Sequence, residues 1–314
     1  MSLEPCICGD WGTSRLRLSL CAGERVLERR EGPGIGALRE PAAEALRPLM
    51  AGWRRAHGPL PLFLCGMAGA RDGWRESAYL ACPLDLRALG GAALRFEWEG
   101  TQVAIAAGLS CTSRLGTPEV MRGEETQMAG ALALRPGLGT GRHLLCLPGT
   151  HTKWAWLEDG VVGDFLTALT GELFALLRDR STLTPAARPR AEGQARKPPA
   201  FAEGEAEDGF ESGLDAVATL GSASLLHGLF ATRSRQLLEG RSREWALSYL
   251  SGLLIGSDVQ GALALFAAPG EVALIGDSTL TRRYARALHR SGVAVSCLEG
   301  EVCALAGLRA LASP

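Results

Sequence analysis

Two segments of this chain follow one plan, and that repeat restricts its fold more than any other feature. The first runs Cys6-Ile-Cys-Gly-Asp-Trp-Gly-Thr-Ser-Arg-Leu-Arg-Leu-Ser-Leu20: an apolar strand, a glycine-bracketed Asp10, then strict alternation from Arg15 to Leu20. Alternation of period two marks a strand with one buried face, which places Asp10 in a tight turn between two strands. The second runs Leu144-Leu-Cys-Leu-Pro-Gly-Thr-His-Thr-Lys-Trp-Ala-Trp-Leu157, again in the order strand, Gly-Thr turn, basic residue, strand. The segments lie near the starts of the two halves of the chain. Two such hairpins are expected to face each other across a cleft.

Their chemistry suggests phosphate. Glycines let the main chain approach an anion, and exposed N–H groups form a nest for it. Gly12, Thr13 and Ser14 in one turn, and Gly149, Thr150 and His151 in the other, are the candidate phosphate contacts. A carboxylate there repels phosphate unless a cation lies between them, most simply Mg²⁺, so Asp10 is the candidate metal carboxylate. The competing reading is a plain hairpin turn with an Asx-type bond. Lys153 and Lys197 are the only lysines in the chain, and a compact ammonium at Lys153 suits a moving phosphoryl group. The alternative is a surface lysine on a hairpin.

Transfer of a phosphoryl group to a hydroxyl would also need a base near that hydroxyl. Glu124 is the leading candidate beside Glu125 and Glu172, with Asp164 and Asp258 in reserve. Glu124 and Glu125 follow Arg122-Gly123 at an expected helix start, where the helix dipole favours carboxylates simply as caps. Arg122 can grip a substrate carboxylate through a bidentate pair, or pair with a neighbouring glutamate. Gly276 closes an expected strand before Ser278 opens a helix, a junction that can hold a nucleotide or be an ordinary capped turn. Gly252 and Gly256, four apart on an expected helix, either line a nucleotide pocket or let helices pack closely.

The segments Asp10-Trp-Gly-Thr-Ser14 and Leu147-Pro-Gly-Thr-His-Thr-Lys-Trp154 resemble the two phosphate motifs of the sugar kinase/actin/Hsp70 superfamily. More narrowly, the chain resembles the 2-dehydro-3-deoxygalactonokinases. Further blocks fit in order: Gly66-Met-Ala-Gly69, Val120-Met-Arg-Gly-Glu-Glu-Thr-Gln127, Leu169-Thr-Gly-Glu-Leu173 and Leu250-Ser-Gly-Leu-Leu-Ile-Gly256. The resemblance implies an α/β fold of two ribonuclease H-like, actin-like ATPase lobes around a nucleotide cleft. It implies ATP-dependent phosphorylation of the 6-hydroxyl of 2-dehydro-3-deoxygalactonate with Mg²⁺. It puts Arg122 and Gly69 on the sugar-acid side, and Gly252, Gly256, Gly276 and Ser278 on the nucleotide side. The family's double glycine is here Gly276-Asp277. A kinase of another sugar or sugar acid, and a nucleotide-binding regulator without turnover, are the alternatives, and a homodimer is left open.

Bulk properties fit a cytoplasmic enzyme of two α/β lobes. The 314 residues suffice for two cores, expected at 1–140 and 141–314. A net charge of −1 provides no field for nucleic acid or a membrane surface. No apolar run reaches bilayer length, and no signal peptide is evident. Nine cysteines without a CxxC pair read as free thiols. There is no P-loop lysine motif and no Gly-x-Ser-x-Gly elbow. Residues 181–206, rich in Pro, Ala, Arg and Glu, read as a mobile insert.

Overall fold

A computed structural model describes residues 5–184, 204–220, 225–266 and 270–312. Its first half comprises β1 (Cys6–Trp11), β2 (Arg15–Ala22), β3 (Arg25–Pro33), α1 (Ala42–His57) and β4 (Leu62–Gly66). Six short strands follow: β5 (Tyr79–Ala81), β6 (Leu84–Asp85), β7 (Leu94–Trp98), β8 (Thr101–Ile105), β9 (Gly108–Thr112) and β10 (Pro118–Met121). The helix α2 (Glu124–Leu134) closes this half. The second half comprises β11 (Arg142–Leu147), β12 (Thr152–Glu158), β13 (Val161–Ala168) and helices α3 (Thr170–Arg180), α4 (Glu205–Leu220), α5 (Leu225–Leu238) and α6 (Arg243–Leu265). It ends with β14 (Glu271–Gly276), α7 (Ser278–Arg290), β15 (Ala294–Glu299) and α8 (Gly300–Ala312).

The two large sheets repeat one topology. The first has the order β3-β2-β1-β4-β8-β7 and the second, from its far edge, β6-β13-β12-β11-β14-β15. Each contains an antiparallel three-strand meander whose first strand pairs in parallel with a later strand, which in turn pairs in parallel with the next. That order, 3-2-1-4-5, is the ribonuclease H-like arrangement expected of both lobes. β6 comes from the first half yet joins the second sheet beside β13, and β5, β9 and β10 form a small third sheet.

Side chains explain the layering. In β1, Ile7 and Trp11 join the core under α1, with Leu46, Met50 and Trp53, while Cys8 faces Leu305 and Leu308 of α8 on the other side. In the second sheet, Leu145, Leu147, Ala155 and Leu157 face Met128 and Ala131 of α2. Leu144, Cys146 and Trp154 face α4, α6 and α7. So α8, the last helix, covers the first sheet, and α2, from the first half, covers the second. A strand buried on both faces reads as a continuous apolar run, which is what β1 and β11 show.

Between the sheets, α2 and α8 pack backbone to backbone. A Cβ on Gly130 would lie 1.8 Å from the Cys303 carbonyl oxygen, and one on Gly307 would lie 2.0 Å from that of Thr126. Only glycine fits either position.

Three sequence expectations need correction. Asp10 and Lys153 are not in turns: they lie within β1 and β12. The turns themselves are Gly12–Ser14 and Pro148–His151, because the ladders extend one or two residues further than the apolar runs suggest. Of the insert expected near 181–206, Glu205 and Ala206 already belong to α4, and residues 185–203 lie outside the described residues. No described helix is long and apolar enough to cross a membrane.

The glycine crossing leads to a paired prediction. Gly130→Ala should lower unfolding free energy by about 2–3 kcal/mol, since a backbone carbonyl cannot move aside as a side chain would. Gly261→Ala, on α6 with no atom within 4 Å of the added methyl, should raise it by about 0.5–1 kcal/mol. Urea unfolding of both variants checks the contrast; equal midpoints would contradict the close crossing.

Candidate active site

The two hairpin turns face a single cleft of about 760 Å³ between the lobes. Asp10, Gly12, Thr13, Ser14, Arg122, Glu124, Gly149, Thr150, His151 and Lys153 all line it. These residues come from both halves of the chain, and the fold brings them together as the sequence suggests.

Each turn is held from behind by a glycine. A Cβ on Gly34 would lie 2.3 Å from the Thr13 carbonyl oxygen, and the amide of Gly36 donates to that oxygen at 2.9 Å. A Cβ on Gly171 would lie 2.3 Å from the Gly149 carbonyl oxygen, and the amide of Glu172 donates to Thr150 at 2.9 Å. Carbonyls are thereby turned inward, and the amides of Thr13 and Ser14 make no internal hydrogen bond among the described residues. The imidazole of His151 is hydrogen-bonded to Glu172, which ties the second turn to α3 and uses up the carboxylate of one base candidate.

Asp10 sits between two strands at the cleft floor. One carboxylate oxygen accepts a weak bond from the Cys65 thiol at 3.8 Å, and the other lies 3.5 Å from Arg17. Burial pushes its pKa up, and Arg17 only partly offsets that. Beside it, Gly66 (φ 78°) ends β4 and Gly123 (φ 109°) precedes α2; a Cβ on Gly123 would lie 3.3 Å from the Gly66 Cα. This glycine contact brings the start of α2, and with it Glu124, up to Asp10.

Glu124 opens α2 and accepts from the Arg122 amide at 3.1 Å. Burial raises its pKa, opposed by the charge of Lys153. The ammonium of Lys153 donates to the Val120 carbonyl at 2.8 Å and to the Thr167 hydroxyl at 2.7 Å. Burial draws its pKa down while Glu124 draws it up. Neither group is a surface residue. Burial disfavours the charge on both, and each draws the other toward its ionised form.

Arg122 is not ion-paired to a neighbouring glutamate. It donates to the Ser77 carbonyl at 2.8 Å and to the hydroxyls of Ser77 and Tyr79, and its guanidinium lies 4.2 Å from the Tyr79 ring centre. Gly69 does not line the cleft; it leaves room for this guanidinium, since its Cβ would fall 2.7 Å from Nη1. Gly252 and Gly256 also line no part of the cleft. They let α6 pack on α4: a Cβ on Gly252 would lie 2.2 Å from the Phe210 carbonyl oxygen. Gly276 packs beside Pro148 and Gly300, and Ser278 is an exposed first residue of α7, capped by Asp277. The small cavity next to the second turn, about 120 Å³, is lined instead by Gly171, Phe174, Leu280 and Arg283.

Both reserve carboxylates are structural. Asp164 pairs with Arg114 at 3.0 Å, and Asp258 accepts from Trp154, Thr170 and Tyr284 at 2.6–2.8 Å. Arg17, Tyr79, Ser77 and Thr167 escaped the sequence reading, although Arg17 stands in the alternating run of β2. The charge set suits Mg²⁺ held by water and phosphate. No described group of three or more His, Cys, Asp or Glu could form a full protein cage, while Asp10 stands beside open amides.

Glu125 lies behind Glu124, wholly buried, accepting from the Gly123 amide at 2.6 Å and the Thr126 hydroxyl at 2.9 Å. Burial, with Glu124 beside it, raises its pKa from 4.5 to about 7. The folded state thus favours the neutral form, whose contribution is complete below pH 4.5 and is lost as pH rises through about 7. Glu125→Gln can accept from the Gly123 amide through its oxygen and donate through its N–H to the Thr126 hydroxyl, and it removes the titration. It should gain on the order of 3 kcal/mol over wild type between those limits, read by unfolding at a series of pH values. A stability difference independent of pH would contradict the buried titration.

Comparison with known proteins agrees with this geometry. The family model for 2-keto-3-deoxy-galactonokinase matches residues 10–311. The probable 2-dehydro-3-deoxygalactonokinase of Rhizobium meliloti (strain 1021) is 36% identical over 307 residues, covering 96% of this chain and 95% of its own. The 2-dehydro-3-deoxygalactonokinase of Escherichia coli (strain K12) is 34% identical over 306 residues, covering 96% of each. A crystal structure of a 2-dehydro-3-deoxygalactonokinase protein from Sinorhizobium meliloti superposes with a TM-score of 0.82 at 34% identity, covering 98% of each chain. With the family model and two relatives above 30% identity each spanning nearly its full length, the chain belongs to the 2-keto-3-deoxy-galactonokinase family.

Proposed function

We propose that this protein transfers the γ-phosphoryl group of ATP to the 6-hydroxyl of 2-dehydro-3-deoxy-D-galactonate, giving the 6-phosphate and ADP. The observation that carries this reading is the pair of glycine–threonine turns, at equivalent corners of two equivalent sheets, facing one cleft that contains Asp10, Glu124 and Lys153. Family membership supplies the substrate.

The free amides of Thr13 and Ser14 on one side, and of Gly149 and Thr150 on the other, take the phosphate oxygens, while the Gly12 amide closes the first turn by donating to the Arg15 carbonyl at 2.9 Å. Asp10 would hold Mg²⁺, which would supply charge neutralisation for the phosphates when bound. The adenosine end of ATP extends past Gly149 toward Phe174, Leu280 and Arg283. Glu124 takes the proton of the 6-hydroxyl as its oxygen forms the new P–O bond and ADP leaves. Its raised pKa makes it a better base than an exposed glutamate, and the charge of Lys153 opposes that rise. Two of the three Lys153 protons are engaged by Val120 and Thr167, which leaves the third for a phosphoryl oxygen. Arg122, held flat by Ser77 and Tyr79, presents its remaining N–H groups to the substrate carboxylate.

A panel of sugar acids and neutral hexoses, assayed by ADP release, tests the substrate; equal turnover of neutral hexoses would overturn it. Asp10→Asn and Glu124→Gln should each lower kcat by roughly a hundredfold or more with the fold intact. Wild-type kcat/KM should fall as pH drops through the raised Glu124 pKa, because only the ionised form accepts the proton. Arg122→Ala should raise KM for the sugar acid far more than for ATP, by about 1.5–3 kcal/mol for a lost charged hydrogen bond. A rise confined to ATP would move Arg122 to the phosphate side.

A further inference from the structure

The end of the β1–β2 hairpin remote from the cleft carries a cluster of thiols for which phosphoryl transfer has no use. Cys6 and Cys21 stand directly opposite each other across the antiparallel pair, and the Cys8 thiol sits against both. Directly opposed residues in such a ladder have Cα atoms about 4.5–5.5 Å apart, within the range a disulfide spans. The β2–β3 register shifts between Leu20 and Cys21, so the strand is irregular where it must adjust. A cation stands over the same sulfur: Arg309 Nη2 lies 3.8 Å from Cys21 Sγ, Arg309 has no carboxylate partner among the described residues, and its Nε is buried without a hydrogen bond. The same Nη2 donates to the Glu24 carbonyl at 2.7 Å, which holds the guanidinium in place, and a guanidinium with no carboxylate to balance its charge favours the thiolate beside it.

We infer that Cys6 and Cys21 are a modification site, joined reversibly in a cross-strand disulfide by a two-electron oxidant such as hydrogen peroxide. Cys6 is half-buried and is the thiol the oxidant reaches; Cys21 is fully buried and resolves. The Cys6 thiolate attacks one peroxide oxygen, the O–O bond breaks, and hydroxide leaves as Cys6 becomes a sulfenic acid. The Cys21 thiolate then attacks the Cys6 sulfur and expels the second hydroxide. The two hydroxides leave as water with the two thiol protons, so one peroxide is reduced as two thiols are oxidised. Hydrogen bonding from Cys8 and the charge of Arg309 lower the Cys21 pKa to about 6, which keeps the resolving group ionised.

The test uses the full chain and dilute hydrogen peroxide, with thiol titration in denaturant and fragmentation mass spectrometry. Nine thiols are present when reduced. The expected result is loss of two, restored by dithiothreitol, with fragments linking Cys6 and not Cys8 to Cys21. The link should vanish in Cys6→Ser and persist in Cys8→Ser. A Cys8–Cys21 link, sulfinic acid at Cys6 without a link, or no link at all would each overturn the assignment. Peroxide consumption by exposed Cys297 alone counts as no link.

Discussion

The close crossing of α2 and α8 is the contact on which the rest of the molecule depends. Neither sheet covers its own inner face: the first is covered by a helix from the end of the chain, the second by one from the middle. Gly130 and Gly307 let the two helices share the space between the sheets. Because α2 begins at Gly123, the same crossing sets where Glu124 and Glu125 stand. A small shift at Gly130 would be transmitted along a rigid helix to the cleft.

At the cleft, burial is the dominant electrostatic effect. It pushes Asp10 and Glu124 toward their neutral forms and Lys153 toward its own, and for each the largest opposing effect comes from a charged neighbour. Arg17 answers Asp10, while Lys153 and Glu124 answer each other. Desolvated charges interact more strongly than exposed ones, so adding phosphate and a divalent cation would alter all three together. Asp258 shows the contrasting solution. Three donated hydrogen bonds surround it, and it joins α3, α6, β12 and α7 away from the cleft.

The two lobes share a topology but use their glycines differently. Gly34 and Gly171 occupy matching places behind the two cleft turns, as expected where backbone must approach backbone. Gly252 and Gly256 have no such counterpart: they serve the α4–α6 contact.

The sequence by itself determined the two hairpins, the α/β order and the apolar central strands, because period-two alternation and glycine–threonine turns are local signals. It also marked both turns, Asp10, Lys153 and the Arg122–Glu124 block, because each is contiguous, while Arg17, Tyr79 and Thr167 on the same cleft gave no such signal. Only the tertiary structure decided what those side chains touch. Lys153 reaches Val120 and Thr167, Arg122 reaches Ser77 and Tyr79, and Gly69 lies behind a guanidinium. Those partners are many residues away, and no local periodicity encodes them. The same holds for β6, two residues that cross to the second sheet, and for the strands of the third sheet. They are too short to show a period, and their pairing is set by the edges that the larger sheets leave open.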